Sequence, residues 1–453
     1  SGDDLVNAFE GGSLSVSGTA EGGQRVYVTF RDAGGETVTG TAFVDGSGDW
    51  TLSGADISGL ENGEITIEAY AVDRAGNQSG TVTESITLDH SLPAAPVIVS
   101  YTDDTGVSDD NLTYDTTPTL TGTAEVGTTV EIFDGQTSLG SASVDASGNW
   151  SFTTSTLAEG AHSLTARATD AAGNKGAVSA PLNLEIDTTE PTVTITTPLA
   201  GDGVVNAAED GFFAVSGTSV GGQRVYVTFT DGSGATVSGS AVVNGVGNWT
   251  LNADISGLDE GSITVDAYAE DQAGNRSDVE ELTITHDSVA PASPVITGFS
   301  EDTGNIGDGR TSDNTVTLTG TAAAGVTVEV FIGITSLGTV IADGAGAWSF
   351  TSEELADGSH YFNAVAIDAA GNKSISSDNY IVSVDTVAPG ITITTPVSGD
   401  GIVNASEDNF VSLSGTASGG QRVYVTFTDE GGATVNGEAI VVGGNWTLSG
   451  VDI

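Results

Sequence analysis

The stretch Asp368-Ala-Ala-Gly-Asn372, followed by Asp385-Thr-Val-Ala-Pro389, decides how this chain is organised. Gly and Asn tolerate the positive φ of a tight reversal, so the D-x-A-G-N segment predicts a turn between two strands. The D-x-x-x-P segment predicts an extended linker, because Pro cannot continue a hydrogen-bonded ladder and restricts the residue before it. The pair recurs at residues 170–174 with 187–191, at 271–275 with 287–291 and, slightly altered, at 73–77 with 89–93. Each pair predicts the end of one module and the start of the next.

The tryptophans repeat with the same period. Trp50, Trp150, Trp249, Trp348 and Trp446 are 98 to 100 residues apart, which predicts one buried aromatic anchor in the core of each module. Two module types alternate: the odd type carries G-G-Q-R-V-Y-V-T-F (residues 22–30, 221–229 and 419–427), and the even type carries T-L-T-G-T-A before a V-E-[IV]-F strand (residues 119–133 and 317–331). Internal repeats of this kind indicate a tandem array.

The modules are predicted to be all-β. In residues 224–230, Val225, Val227 and Phe229 alternate with polar residues, as in a strand with one buried face. We expect five Ig-like antiparallel β-sandwiches of seven strands, at residues 1–89, 90–187, 188–287, 288–385 and 386–453. By alignment with the third module, the first module is expected to lack its first strand and the last to stop before its final strands.

Composition limits the partners. The chain has 10 Lys+Arg against 62 Asp+Glu, a formal charge of −52, which argues against nucleic acid or an anionic membrane as a partner. It has no cysteine, which excludes disulfides and zinc–thiolate sites. No apolar run reaches the ~18 residues of a membrane span.

Acidic and amide side chains cluster where the modules are predicted to meet. We expect each entrance, the segment after a linker, to lie beside the D-x-A-G-N turn of the preceding module. Close carboxylates repel by roughly 1 to 4 kcal/mol per pair, and Ca²⁺ removes this repulsion by taking 6–8 oxygen ligands. The alternative is that these residues only form turns on a soluble surface. The candidate calcium ligands are Asp73, Asp170, Asp271 and Asp368 in the turns; Asp89, Asp187, Asp287 and Asp385 in the linkers; Asp104, Asp110, Asp115, Asp302, Asp308 and Asp313 in the even entrances; and Asp202, Asn206, Glu209, Asp400, Asn404 and Glu407 in the odd entrances.

No enzyme is predicted. Residues 217–221 match G-x-S-x-G, but that nucleophile motif needs a strand-to-helix turn, and Ala20 and Ala417 replace Ser219 in the sister modules. The four histidines, His90, His162, His286 and His360, are expected to be exposed and without consistent partners. The Arg and Tyr of the odd-type motif are expected to form an outward cation–π or salt-bridge stripe.

The combined motifs resemble the Ig-like extender repeats of giant bacterial surface adhesins. These are the biofilm-associated and RTX adhesins exported by type I secretion, and they share D-T-x-x-P linkers, D-x-A-G-N turns, G-N-W hairpins and G-D-x-x-x-N-A-x-E entrances. The resemblance covers the whole chain. The sequence departs from the family's pattern at Asp89-His-Ser-Leu-Pro93, which is not D-T-x-x-P. It departs again at Gly11, because the equivalent residues 210 and 408 of the other odd modules are Asp.

The resemblance implies an extracellular stalk on the bacterial surface, stiffened by Ca²⁺, that holds a ligand-binding tip away from the cell. Its partners would be calcium ions and the adjacent modules of the same chain, without catalysis or direct membrane insertion. The alternative is that the repeats themselves bind glycans or neighbouring adhesin chains. A glycan site would need an exposed aromatic platform, and the Tyr of Arg-Val-Tyr-Val is the recurrent outward candidate.

Overall fold

A computed structural model describes residues 4–21, 24–394, 401–404, 406, 408 and 411–453. In these residues the regular structure consists of strands and short 3₁₀ turns, among them Glu10–Gly12 and Asp210–Phe212. Asp400 and Glu407, two of the candidate ligands, lie outside the described residues. No described helix is long and apolar enough to cross a membrane.

Modules one and two contain the first sixteen strands. Module one has β1 (Leu5–Val6), β2 (Leu14–Thr19), β3 (Arg25–Arg31), β4 (Thr37–Phe43), β5 (Asp49–Ala55), β6 (Gly63–Val72) and β7 (Val82–Leu88). Module two has β8 (Val97–Tyr101), β9 (Leu112–Thr113), β10 (Thr119–Thr123), β11 (Thr129–Asp134), β12 (Thr137–Ser143), β13 (Asn149–Thr153), β14 (Gly160–Thr169), β15 (Lys175–Val178) and β16 (Leu182–Ile186). The sheets of module one are β2-β5 and β1-β7-β6-β3-β4. Those of module two are β13-β10-β8 and β12-β11-β14-β16-β9, with β15 beside β14.

Modules three to five repeat this order. Module three has β17 (Thr192–Ile195), β18 (Val204–Val205), β19 (Phe213–Val220), β20 (Arg224–Thr230), β21 (Thr236–Val242), β22 (Asn248–Ala253), β23 (Gly261–Glu270) and β24 (Glu280–His286). Module four has β25 (Val295–Ser300), β26 (Arg310–Thr311), β27 (Thr317–Thr321), β28 (Thr327–Ile332), β29 (Thr335–Ile341), β30 (Ala347–Thr351), β31 (Gly358–Ile367) and β32 (Tyr380–Val384). Module five has β33 (Gly390–Ile393), β34 (Val411–Ser418), β35 (Arg422–Thr428), β36 (Thr434–Val442) and β37 (Asn445–Val451).

Module three shows the complete odd-type sandwich. A three-stranded sheet, β17-β19-β22, faces a five-stranded sheet, β18-β24-β23-β20-β21. The first strand is divided: β17 runs antiparallel to β19, whereas the two-residue β18 runs parallel to β24 in the other sheet. The expected seven antiparallel strands therefore become eight, one of them parallel. Pro198, which has no N–H, and Gly201 and Gly203, with φ of 83° and 91°, lie in the break.

The core lies between the two sheets, as the alternation predicts. Val225, Val227 and Phe229 are fully buried, and all five tryptophans are at most 8% exposed. Both predictions are confirmed. Each tryptophan packs against a glycine directly across the sheet, in the pairs Gly18–Trp50, Gly122–Trp150, Gly217–Trp249, Gly320–Trp348 and Gly415–Trp446. A Cβ on Gly217 would lie 2.9 Å from the ring of Trp249 and 1.9 Å from the carbonyl oxygen of Thr194, so this position requires glycine.

The expected stripe of motif Arg and Tyr is formed differently: in modules one and three the motif tyrosine stacks on a tyrosine of the neighbouring strand, whereas the motif arginine contacts other groups, Phe43 for Arg25 and Ser240 for Arg224. Tyr226 stacks on Tyr268 with ring centroids 5.1 Å apart, and the guanidinium of Arg276 lies 5.1 Å from the centroid of Tyr268. Tyr27 and Tyr70 form the same stack in module one. These tyrosines therefore cover one another's ring faces.

The expectation of exposed histidines without consistent partners was wrong: none of the four is exposed, and His162 and His360 make equivalent contacts with a backbone carbonyl. His286 is 1% exposed, and its Nε2 lies 3.6 Å from a carboxylate oxygen of Asp210. His162 Nδ1 lies 2.7 Å from Asp134 Oδ2, and its Nε2 lies 2.8 Å from the carbonyl oxygen of Ala158. A linear motif could not reveal Asp134 and Asp210 as partners, because they lie far away in the sequence.

Candidate functional site: the module junctions

The turn and the linker of one module lie at opposite ends of its sandwich. In module one the turn at Asp73 follows β6, and β7 then runs back, antiparallel to β6, to Asp89. The seven residues of β7, at about 3.4 Å each, separate the two by roughly 24 Å. The expectation that the two motifs build one junction was wrong, because a whole strand lies between them.

The entrance also belongs to the far end of its module. In module three β18 pairs with β24, so Val205 lies beside His286, and the N–H of Asp287 donates to the carbonyl oxygen of Val205 at 3.0 Å. The entrance at Asn206 therefore adjoins the linker that leaves module three, whereas we expected it beside the turn of module two. Each junction consists of the entrance of one module, its outgoing linker, and the D-x-A-G-N turn of the next module.

At the junction of modules one and two, a single asparagine joins all three parts. Asn174 is buried, and its Nδ2 donates to the linker carbonyl of Asp89 at 2.8 Å and to Oδ2 of Asp170, in its own turn, at 2.9 Å. Its Oδ1 accepts a hydrogen bond from the entrance N–H of Ala8 at 2.8 Å. The side-chain amide thus uses both donor hydrogens and its acceptor.

The junction of modules three and four repeats these contacts. Asn372 Nδ2 donates to the carbonyl oxygen of Asp287 at 2.6 Å and to Asp368 Oδ2 at 3.1 Å, and its Oδ1 accepts from the N–H of Ala207 at 2.9 Å. Asn206 adds a second bridge, because its Nδ2 donates to the carbonyl oxygen of Ala370 at 3.0 Å. The buried asparagine of the turn is therefore a recurrent part of the junction.

The junction of modules two and three keeps the linker contact but uses an even-type entrance. Asn275 Nδ2 donates to the carbonyl oxygen of Asp187 at 2.8 Å. Thr105 Oγ1 donates to the carbonyl oxygen of Ala273 at 2.5 Å, and Gln272 Nε2 donates to Asp110 Oδ2 at 2.8 Å. The two backbones touch here: a Cβ on Gly106, which has a φ of 69°, would lie 2.1 Å from the carbonyl oxygen of Gln272.

Most of the candidate carboxylates accept hydrogen bonds from backbone N–H groups of their own loops. Asp202 accepts from the N–H of Val204 at 2.9 Å, and Asp110 accepts from that of Leu112 at 2.9 Å. Acceptance from the N–H two residues on is typical of turn-forming Asp. The same contact is made by Asp89, Asp115, Asp187, Asp287, Asp308, Asp313, Asp385 and Asn404. Glu209 accepts from the N–H of Asn206, and each turn Asp accepts from the Asn that ends its turn.

The even entrances concentrate negative charge. Tyr101 donates its hydroxyl hydrogen to Asp104 Oδ1 at 2.8 Å. Burial, this hydrogen bond and the charges of Asp104, Asp110 and Asp109 raise the pKa of Tyr101 above its usual range. In module four Phe299 replaces this tyrosine, and the buried Oδ1 of Asp302 has no hydrogen-bond partner among the described residues.

The donor chemistry of the even entrances fits a hard cation. Carboxylate oxygens in an acidic loop, one of them buried and unsatisfied in module four, suit Ca²⁺. Within the described part of the chain, however, no three His, Asp or Glu side chains are arranged so that they could hold a metal ion. The sequence-predicted set of Asp170, Asp187 and Asp202 is not brought together, because their segments belong to three different junctions.

The bridging role of the asparagine that ends the turn is not predicted from the sequence. Asn174 and Asp89 are 85 residues apart, as are Asn372 and Asp287. The sequence signal for it is the recurrence of Asn at the same place in every turn, which by itself indicates only tolerance of positive φ.

Comparison with known proteins places the second and fourth modules in a family. The sequence profile of the bacterial Ig-like domain family matches residues 91–188 and 290–386. Comparison with curated proteins gives no match.

Several solved structures are similar to this chain. One is a tetra-tandem repeat from the extending region of a large adhesion protein. The two sequences are 26% identical, the match covers 85% of this chain and 97% of the other, and the TM-score is 0.31. Another is a Ca²⁺-stabilized adhesin with which an Antarctic bacterium binds ice, with 28% identity, 84% and 97% covered, and a TM-score of 0.34. A third belongs to a 1.5-MDa bacterial ice-binding adhesin, with 25% identity, 64% and 95% covered, and a TM-score of 0.28.

The bacterial Ig-like part of the resemblance drawn from the motifs is confirmed by the family match. The chain is a tandem array of Ig-like sandwiches, and those at residues 91–188 and 290–386 belong to the bacterial Ig-like domain family.

Proposed function

We propose that this chain is an extender region of a repetitive bacterial cell-surface adhesin, which holds a distal ligand-binding region away from the cell. The observation that carries this proposal is the recurrent junction contact: at three successive junctions, the side-chain amide of the Asn that ends the turn donates to the carbonyl oxygen of the preceding linker Asp. A hydrogen bond from the next module to the linker restricts the angle between the two modules. Repeated along the array, such restraints produce a stiff rod, which is the property that a stalk needs.

The proposed rod is extracellular, and the adhesin's roles in adhesion or biofilm formation and its export by type I secretion are part of the proposal. No catalytic role is assigned. The proposed modules keep the ranges 1–89, 90–187, 188–287, 288–385 and 386–453. Each has its own cluster of buried residues, so each could remain folded while the junctions bend.

Calcium is proposed to stiffen the junctions further. At the junction of modules two and three, calcium would have to draw the carboxylates of Asp104, Asp110 and Asp187 together, because no ready group of three ligands is present among the described residues. The ion would supply positive charge and so remove the repulsion among these groups. Weak affinity is sufficient, because extracellular calcium modules work at about 10⁻⁴–10⁻³ M.

The test measures the distance between spin labels on modules two and three. The chain has no cysteine, so Ser141→Cys and Thr236→Cys give a unique pair of labelling sites on exposed strand residues. We expect a narrow distance distribution in calcium and a broader one with chelator. Asp187→Ala should lose this calcium effect, since it removes the carboxylate but keeps the carbonyl that accepts from Asn275.

Thr165→Ala, a strand substitution remote from the acids, is the control and should behave as the wild type. Metal analysis that finds no bound calcium at millimolar supply would overturn the calcium role alone. A broad distribution in calcium, in the wild type, would overturn the stalk itself.

Glycan binding by the repeats is not favoured by the aromatic residues. The tyrosines of modules one and three stack on each other at 5.3 and 5.1 Å, whereas Tyr424 of module five is 74% exposed, so a flat open platform for a sugar ring does not recur through the odd modules.

A further inference from the structure

One peptide group of the linker between modules two and three is bonded from both sides. Its carbonyl oxygen, that of Asp187, accepts a hydrogen bond from Asn275 Nδ2 of module three at 2.8 Å. Its N–H, that of Thr188, donates to Glu159 Oε2 of module two at 2.9 Å. A trans peptide group is planar, and its C=O and N–H point in opposite directions. The two modules therefore hold the same rigid group from opposite sides.

The same arrangement occurs at two further junctions. In each case the Asn of the next module donates to the carbonyl oxygen of the linker Asp, and a side chain of the preceding module accepts from the N–H that follows. At the junction of modules one and two these groups are Asn174 Nδ2, at 2.8 Å, and Asn62 Oδ1, at 3.0 Å. At the junction of modules three and four they are Asn372 Nδ2, at 2.6 Å, and Glu260 Oε2, at 2.9 Å. A contact on both sides of one linker peptide group is thus a recurrent feature of this chain.

The accepting side chain has a fixed place in each module. It belongs to the residue that directly precedes the ten-residue strand of the module, which is β6, β14, β23 or β31. In module four this residue is Asp357, whose Oδ1 accepts from the N–H of Thr386 at 3.0 Å. We call these four residues the linker clamps: Asn62, Glu159, Glu260 and Asp357.

The chemistry of each linker clamp matches that of its linker. Where the residue after the linker Asp has a hydroxyl group, the clamp is a carboxylate that accepts from both the N–H and the hydroxyl. The hydroxyl contacts are 2.5 Å from Thr188 to Glu159, 2.5 Å from Ser288 to Glu260 and 2.8 Å from Thr386 to Asp357. Module one has His90 at this place, and its clamp is the amide of Asn62. The clamp and the linker therefore change together, as expected for groups that act as a pair.

We propose that the linker clamps are positioning residues, which hold each linker peptide group in place for the Asn of the next module. The clamp and that Asn act in series, because the next module is fixed to the preceding one only while both bonds are present. Neither bond involves a metal ion, so this restraint is present without calcium. The inference rests on the proposed stalk function and deepens it, since it identifies the residues that fix the angle at each junction.

The test uses spin labels at Ser141→Cys and Thr236→Cys in the full chain, with chelator present. Glu159→Ala should broaden the distance distribution, because each lost hydrogen bond raises the population of the released linker by roughly 2- to 12-fold. Glu159→Gln should stay close to the wild type, since its amide oxygen still accepts from Thr188. Glu185→Ala, which removes an exposed carboxylate from β16, is the matched control and should leave the distribution unchanged.

The double variant of Glu159→Ala and Asn275→Ala tests whether the two bonds act in series. The two side chains bond to opposite sides of one peptide group. Either single variant releases that group on one side, so the double variant should have a distribution no broader than that of the broader single variant. Restraints that act independently would instead add.

Amide hydrogen exchange gives a local readout of the same contact. In Glu159→Ala the N–H of Thr188 should exchange faster than in the wild type, because it loses its acceptor. The N–H of Asp187 donates to the carbonyl oxygen of Thr113 at 3.0 Å, and its exchange should be unchanged.

Equal widths in wild type and Glu159→Ala, an unchanged exchange rate of the Thr188 N–H, or additive broadening in the double variant would overturn the clamp. Equal broadening by Glu185→Ala would also overturn it, because the effect would then follow from charge and not from the contact. None of these outcomes bears on the stalk itself, which fails if the wild type gives a broad distribution in calcium.

Discussion

Replacing Asn174 with alanine should loosen the junction of modules one and two without unfolding either. The substitution removes two hydrogen bonds that cross the junction, to the carbonyl oxygen of Asp89 and from the N–H of Ala8, both 2.8 Å long. A hydrogen bond contributes a net ~0.5–1.5 kcal/mol, so the docked junction should lose about 1–3 kcal/mol. Since ~1.4 kcal/mol is tenfold in an equilibrium constant, the undocked population should rise by about 5- to 150-fold.

Asn77→Ala is the matched control. Asn77 ends the same turn motif in module one, and its side chain donates to Asp73 Oδ2 at 2.8 Å, as Asn174 does to Asp170. It has no hydrogen bond to a linker or an entrance among the described residues. The difference between the two variants therefore isolates the part of the energy that crosses the junction.

The assay is the distance distribution between spin labels at Thr41→Cys and Ser141→Cys, on exposed strand residues of modules one and two. We expect a broader distribution for Asn174→Ala and an unchanged one for Asn77→Ala, measured in chelator so that metal does not mask the effect. Equal widths in wild type and Asn174→Ala would refute the reasoning, because the amide would then not restrain the junction. Equal broadening by both variants would show that the turn itself, and not the contact across the junction, is responsible.

Three further outcomes test the interpretation of single residues. Gly217→Ala should destabilise module three by about 1–3 kcal/mol in calorimetry, because the added methyl overlaps the carbonyl of Thr194; an unchanged unfolding temperature would contradict this. Backbone N–H groups and a serine hydroxyl lower the pKa of Asp231 to about 2. Its stabilising contribution is therefore full above its unfolded pKa near 4 and is lost as the pH falls through 2. The difference in unfolding free energy between wild type and Asp231→Ala should shrink from pH 7 to pH 3. Burial lowers the pKa of His162, but hydrogen bonds to a carbonyl and to Asp134 outweigh burial and raise the pKa. The pair of His162 and Asp134 therefore stabilises module two below pH ~6.5, and this contribution is lost as the pH rises through the folded pKa. An NMR titration should show a raised pKa for His162 that Asp134→Asn lowers.

Much of the fold could be predicted from the sequence, because its signals are local or periodic. Alternation along residues 224–230 identifies the buried face of a strand, and the tryptophan period fixes the number of cores. Turn chemistry identified the reversal at residues 271–275. The divided first strand was not visible, since the two-residue β18 is too short to show a period.

The composition of the junctions was also determined by the sequence, but their assembly was not. Asp73 and Asp89 are 16 residues apart in the chain, yet a strand runs between them and carries them to opposite ends of the sandwich. Asn174 and Asp89 are 85 residues apart and in contact. Which acidic and amide groups meet depends on the direction in which each strand crosses its module, and only the tertiary structure decides that direction, because antiparallel pairing brings together segments from opposite ends of a sequence repeat.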